Sequence, residues 1–233
     1  MRKTLWFVSA LLLSLSVAQA QKQTWNLSKD IQDTGNEISF SQGAKGVWYF
    51  LESSSTEHDP LTYRLMGHYG APCDVNGKNG PFAVRGLACW SSVDVDPSRQ
   101  DENRSPSVTF NFTDTTIYLS GYPNVGMPPK TVVVDPMLKK LGIIAWESPI
   151  TGTIRISGFV TDLHAGGSDG VRWSIDKGDR TMLSGEIPDG GSQTFDLKDI
   201  STRQGKVIYF VIDALGDQNT DEIGTNLTIK QTK

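Results

Sequence analysis

The chain has 233 residues, with 22 Lys+Arg against 26 Asp+Glu, 37% hydrophobic residues, 23 Gly and 11 Pro. That length admits one large all-β domain or two small ones, and the near-average composition excludes a disordered, collagenous or multi-span membrane protein. A formal net charge of −4 is the wrong sign for a nucleic-acid binder, which carries a basic stripe.

Residues 1–20 read as a signal peptide. Arg2 and Lys3 give a short positive region, residues 5–17 an apolar stretch broken only by serines, and Ala18-Gln19-Ala20 a small-x-small cleavage site. The apolar stretch is shorter than the roughly 20 residues that span a bilayer, and no Cys follows it to carry a lipid. Removing Arg2 and Lys3 from the 22 basic residues leaves 20 against 26 acidic, a formal −6. The expectation is an exported chain, secreted or periplasmic, whose residues 21–233 form a single domain without a membrane-spanning segment.

Along that domain, short runs rich in β-branched and aromatic residues alternate with Gly, Pro, Asn and Asp clusters. In chain order the pattern predicts strands at 46–51, 61–65, 107–112, 116–120 and 131–134. In the second half they fall at 141–146, 152–160, 171–175, 181–184, 193–197, 206–213 and 225–230. Residues 153–160 alternate apolar and polar almost without error, as a half-buried antiparallel strand does. Residues 207–212 are apolar on both faces. Only 136–140 and 199–203 look helical, and 53–60 and 93–106 read as long polar loops. No fixed-period repeat appears. The sum is an all-β, antiparallel jelly-roll β-sandwich.

Cys73 and Cys89 are the only cysteines. In an exported chain they are expected to join, closing a turn-rich loop with a contribution of ~3 kcal/mol. With only His68 close by, they do not make a tetrahedral zinc site.

Gly166-Gly167-Ser168-Asp169-Gly170 fits the G-x-S-x-G pattern, with His164 just ahead. The nucleophile mechanism needs a strand before the serine and a helix after it. Here a period-two strand follows, so a glycine-rich loop is the better reading. His58, His68 and His164, the only histidines, show no helical spacing that would pair them on a metal. In the run 213–222, Asp213, Asp217, Asn219, Asp221 and Glu222 place oxygen ligands at near-alternate spacing with a glycine among them, and Asp213, Asp217 and Asp221 are the candidate calcium ligands. An acidic turn between the last two strands accounts for the same residues without a metal. Four N-x-S/T sequons, at Asn26, Asn103, Asn111 and Asn226, are glycosylation acceptors in a eukaryotic route.

Sugars stack their apolar faces on aromatic rings while nearby polar groups take the hydroxyls. Trp48, Trp146 and Trp173 fall within strands and are expected in the core. Trp90 and Tyr122 fall in turn-rich loops and, with Asp169, are the candidate ligand contacts.

The last ninety residues resemble a β-sandwich module of exported bacterial proteins, found beside carbohydrate-active or anchoring segments. The resemblance is carried by Ala145-Trp146-Glu147-Ser148-Pro149 with Gly152, Ile156-Ser157-Gly158, residues 166–175 and residues 205–213. Gly46-Val47-Trp48-Tyr49-Phe50 is similar to the aromatic opening of such jelly rolls. It implies a carbohydrate-binding character and supplies no catalytic residues. The expected function is non-enzymatic binding of a polysaccharide or surface glycan. A structural or adhesive cell-envelope protein comes second and a secreted hydrolase third.

Overall fold

The computed structural model describes residues 23–32, 46–73, 84–91, 106–119, 122–218 and 220–233. The expected signal peptide lies outside the described residues, as does Asn103. Two antiparallel sheets face each other. Numbered in chain order, the strands of the first sheet lie side by side as β14 (Ser192–Thr202), β11 (Gly152–Asp162), β16 (Ile223–Gln231), β9 (Val132–Asp135), β6 (Ser107–Asn111), β5 (Leu87–Ser91) and β4 (His68–Gly70). The second sheet runs β13 (Arg180–Ile187), β12 (Val171–Lys177), β15 (Val207–Asp213), β10 (Gly142–Glu147), β2 (Trp48–Glu52) and β3 (Arg64–Leu65). A hairpin, β7 (Ile117–Leu119) with β8 (Tyr122–Met127), stands apart from both. From β9 onward most connections cross from one sheet to the other, which is the jelly-roll habit. Among the described residues no helix is long and apolar enough to cross a membrane.

Alternation builds the core. On β11, Ile154 and Ile156 point inward while Arg155 points out to Asp196 on the neighbouring strand, with Nε to Oδ1 at 2.5 Å. Opposite them β10 and β15 contribute Ile144, Trp146, Ile208, Phe210 and Ile212. Trp25, Trp48, Trp90, Trp146 and Trp173 are all buried. Trp25 meets Trp146 edge-on at 5.2 Å, and Trp173 stacks on Phe195 at 5.0 Å. Both β10 and β15 are buried on their outer faces too. There Leu141, Ile143 and Val211 pack with Leu51, Tyr63 and Tyr209. The polar segment 53–63 lies over this second face. His58 pins it, with Nδ1 2.7 Å from Oδ2 of the buried Asp176. That bond holds the His58 imidazolium above its ordinary pKa against the effect of burial.

Eleven of the twelve strands expected from the sequence are present, while at 61–65 a 3-10 turn over Pro60–Thr62 leaves only the two-residue strand Arg64–Leu65. The two helix-like stretches are not helices. Residues 136–140 form a turn closed by Met137 and Lys140, which exchange backbone bonds of 3.2 and 2.9 Å. Asp199 sits in a bulge of β14 at φ 57, where the register slips between Ile154 and Ile156 of β11, and β14 then continues to Thr202. Strands β1 (Thr24–Asn26), β4, β5 and β8 and helix α1 (Leu27–Gln32) went unread. At six residues α1 is too short to show a period, yet Leu27 and Ile31 are buried on one face and Asn26 Oδ1 caps it by accepting from Lys29 N at 3.0 Å. β1 adds to β16 at Thr228–Lys230, beside the stretch where β9 pairs with Ile223–Thr225.

The disulfide joins Cys73 to Cys89, tying β5 to the segment that follows β4. Asn111, one of the sequons, is fully buried, and its amide nitrogen lies 2.9–3.1 Å from the carbonyls of Thr115, Met127 and Pro128. In the folded chain it is no glycan acceptor.

Close strand approach makes Gly158 indispensable. It sits between Phe195 and Leu227 in the ladder, and an added Cβ would lie 2.4 Å from the Asn226 carbonyl and 2.7 Å from the Phe195 ring. Gly158→Ala is expected to cost about 3 kcal/mol, read as a lower urea midpoint at unchanged slope.

Candidate functional site

Topology gathers most of the acidic candidates at one end of the sandwich. The loops leaving β11, β13 and β15, together with the β9–β10 turn, all emerge there, and carboxylates fasten them by accepting backbone N–H groups. Asp162 takes His164 N and Gly190 N, each at 3.0 Å. Asp189 takes Gly166 N at 2.8 Å and Gly167 N at 3.0 Å. Asp169 takes Gly216 N at 3.1 Å and Asp217 N at 3.3 Å. Gln218 Oε1 accepts from Leu138 N at 2.7 Å, bringing in the fourth connection. The sequence motif around Ser168 and the run 213–222, which look unrelated along the chain, are therefore one structural unit.

The charges in this unit are unequal. The two amides on Asp189 hold its carboxyl below the usual range. Burial raises Asp162 in spite of its amide partners, and burial raises Glu222 although His164 Nδ1 lies 3.3 Å from its Oε2. Asp221 is the extreme case at 1% exposure, neither oxygen having a partner of ordinary hydrogen-bond geometry. Burial pushes its carboxyl up to about 8, the nearby Ser168 hydroxyl opposing and Asp162, Asp169 and Glu222 adding to the rise.

The proposed metal trio is not assembled. Among the described residues no three His, Cys, Asp or Glu side chains converge as a cation site. Asp213 caps its own loop through Leu215 N at 3.1 Å and lies 3.8 Å from Arg172, so its charge is already spoken for. Asp217 has partners of its own. The Ser168 hydroxyl accepts from Gly170 N at 3.0 Å and β12 follows directly, while His164 turns to Glu222. This is loop geometry, without the strand-to-helix elbow of a nucleophile.

Trp90 needs correction. It lies on β5, 2% exposed, against Phe50 at 4.5 Å and Tyr69 at 5.5 Å. Its strand is short and enclosed by turn residues, so the sequence placed it in a loop. Tyr122 opens β8 opposite Leu119; its side chain lies outside the described residues.

A concave feature among the described residues was not foreseen from the sequence. It lies at the Leu87 end of β5. The register Ser91–Ser107–Asp135 points the other end of that strand toward the acidic loops. A cavity of about 300 Å³ is walled by Tyr69, Ala71, Pro72, Leu87 and Phe112, with Arg85 and Gly86 at its rim. Tyr69 and Phe112 are half-buried, and each is held by another aromatic, Trp90 for the first and Phe110, edge-on at 4.6 Å, for the second. The rim turn is fixed by Val84 N to Cys73 O at 2.9 Å, Leu87 N to Val84 O at 3.2 Å and Phe112 N to Gly86 O at 2.9 Å. Gly86 has φ +98, and a Cβ there would fall 2.5 Å from a Thr113 methyl, so the turn requires glycine.

No family model matches the chain, and a search of curated proteins finds no match. Solved structures give distant likenesses. The carbohydrate-binding module TmCBM61, in complex with β-1,4-galactotriose, is 10% identical with a TM-score of 0.34, covering 69% of this chain and 95% of its own. The CBM36-1 domain of a multidomain xylanase from the hindgut metagenome of Trinervitermes trinervoides is 9% identical with a TM-score of 0.31, covering 52% and 88%. The PRD1 vertex protein P5 is 12% identical with a TM-score of 0.30, covering 81% and 99%. At scores this low the fold class rests on the strand pairing itself, and no ligand follows from them.

Proposed function

We propose that the chain is an exported, single-domain, non-catalytic protein that binds a glycan in the cavity between Tyr69 and Phe112. The cavity carries this reading. Its volume of about 300 Å³ is at the lower end for ligand sites and suits one or two sugar rings. Two braced aromatic rings offer the apolar faces that pyranose C–H groups stack on. Because the described indoles are buried, tryptophan emission is a poor reporter, and calorimetry or affinity electrophoresis is the better assay. The purified chain is expected to bind at least one polysaccharide of a broad panel. Phe112→Ala is expected to weaken that binding at least tenfold with the circular dichroism spectrum unchanged. Silence across the panel, or binding indifferent to Phe112, overturns the reading and moves weight to a protein partner in the cell envelope.

A second proposal concerns calcium at the acidic end, and the orphaned Asp221 carboxylate favours it. One buried anion fits a cation, but three converging side chains are lacking among the described residues. A bound ion would therefore complete its oxygen shell from backbone carbonyls and water. The linkage sign is definite in the absence of metal. Asp221 ionises at about 8 when folded and at about 3.9 when unfolded. Its contribution to stability is therefore greatest below pH 4, falls as the pH rises through that window, and is lowest above 8. Asp221→Asn is expected to raise the melting temperature at pH 8 and to change it little at pH 4. Millimolar calcium is expected to raise the melting temperature of the unmutated chain at pH 8 and to leave Asp221→Asn unmoved. A melting temperature indifferent to calcium at pH 8 rejects the ion.

A further inference from the structure

Arg85 is exposed at the rim of the cavity and makes no hydrogen bond or ion pair within the described residues. Arg64, Arg180 and Arg203 likewise have no side-chain partner among the described residues, whereas other cations are paired. Arg155 grips Asp196 through two nitrogens at 2.5 and 2.7 Å, and Arg172 grips Glu186 at 2.9 and 2.7 Å. Lys130, beside Phe112, is taken up by the Phe112 carbonyl at 2.5 Å and by Asp114 at 3.2 Å. Arg85 stands on a turn whose backbone is bonded on both sides and whose far anchor is the Cys73–Cys89 bridge. Its guanidinium is thus presented from a fixed base over an aromatic-walled cavity, with no partner for its bidentate face among the described residues.

An apolar ring face beneath and, at the rim, a guanidinium without a partner among the described residues complement an anionic sugar. We infer that the cavity selects a sugar bearing a carboxylate, a hexuronate unit of an acidic polysaccharide, with the ring against Phe112 and Tyr69 and the carboxylate on Arg85. This rests on the glycan reading and narrows it. The acidic character of the chain does not forbid it. Asp162, Asp169, Asp189 and Asp221 collect at the end toward which the other terminus of β5 points, and at physiological ionic strength charges are screened over about 8 Å.

The test compares polygalacturonate with its methyl-esterified form and with a neutral xylan, using the full chain, Arg85→Gln and Arg85→Lys. The unmutated chain is expected to bind polygalacturonate at least tenfold more tightly than the ester. Arg85→Gln is expected to erase that difference with the melting temperature unchanged, since the side chain has no partner among the described residues to lose. Arg85→Lys is expected to retain part of it, keeping the charge but not the fork. Discrimination that survives Arg85→Gln overturns the inference, as does benzoate binding as tightly as free galacturonate, which would make the site a general carboxylate pocket. Neutral xylan bound through Phe112 with no preference for the acid overturns the uronate inference and leaves the glycan reading standing. Binding of none of the polysaccharides overturns both.

Discussion

Five indoles have to be hidden between two twisted sheets, and much of the architecture answers that demand. Each ring hidden from water contributes on the order of 3 kcal/mol, and the indole N–H groups divide: those of Trp90 and Trp146 are buried without a partner, while two others tie elements together. Trp48 Nε1 donates to Asp30 Oδ2 at 3.0 Å, and the same oxygen accepts Asn26 N at 3.1 Å. One buried carboxylate therefore fixes both a core indole and the short helix at the chain's start. Trp25 arrives on β1, which fills the part of the β16 edge that β9 is too short to reach. Trp173 donates to Gln193 at 3.0 Å, linking the second sheet to the outer strand of the first. The N-terminal segment is thus part of the core and of the first sheet together.

The two ends of β5 solve different problems. At the acidic end, the connections have little apolar surface, and backbone amides bonded to Asp162, Asp169 and Asp189 replace it. A desolvated carboxylate is expensive unless its oxygens are satisfied, and the buried Asp162 is satisfied by two loop amides, while Asp169 and Asp189 keep access to water. Asp221 is the exception, which is why it alone carries so high an ionisation point. At the Leu87 end, a covalent bridge and a glycine turn hold a small concave surface, and aromatic neighbours brace the rings that line it. Both are rigid arrangements, suited to recognising a partner of fixed shape with little ordering cost.

Most of the ladder was legible because a period of two survives in short windows. Residues 153–160 announce β11 without help from any neighbour. What escaped were elements whose identity depends on distant partners. β5, with the sequence Leu87-Ala88-Cys89-Trp90-Ser91, has no alternation because both its faces are covered. The glycines and proline ahead of it and the polar run after it therefore made a core tryptophan look like a loop residue. The apolar double face of residues 207–212 was visible, yet nothing local reveals that Tyr63 and the polar stretch around His58 provide the second cover. At the acidic end the residue types were read correctly, but Asp169 meets the amides of Gly216 and Asp217 across some fifty positions of chain. The cavity had no sequence signal at all. Tyr69, Arg85 and Phe112 belong to three segments that only the β4–β5–β6 pairing brings together.

The bulge at Asp199 bears on how the chain behaves among copies of itself. β14 is the outermost strand of the first sheet and one of the longest in the fold, at eleven residues. A straight strand of that length at a border offers a row of free N–H and C=O groups to any other β-chain. Here the left-handed residue breaks the row near its middle, and Asp196 and Lys198 put charge beside the break. An incoming strand would have to match a kinked register and meet charged side chains along the way. The bulge thereby shortens the straight run that the longest border of the sandwich presents to any incoming strand.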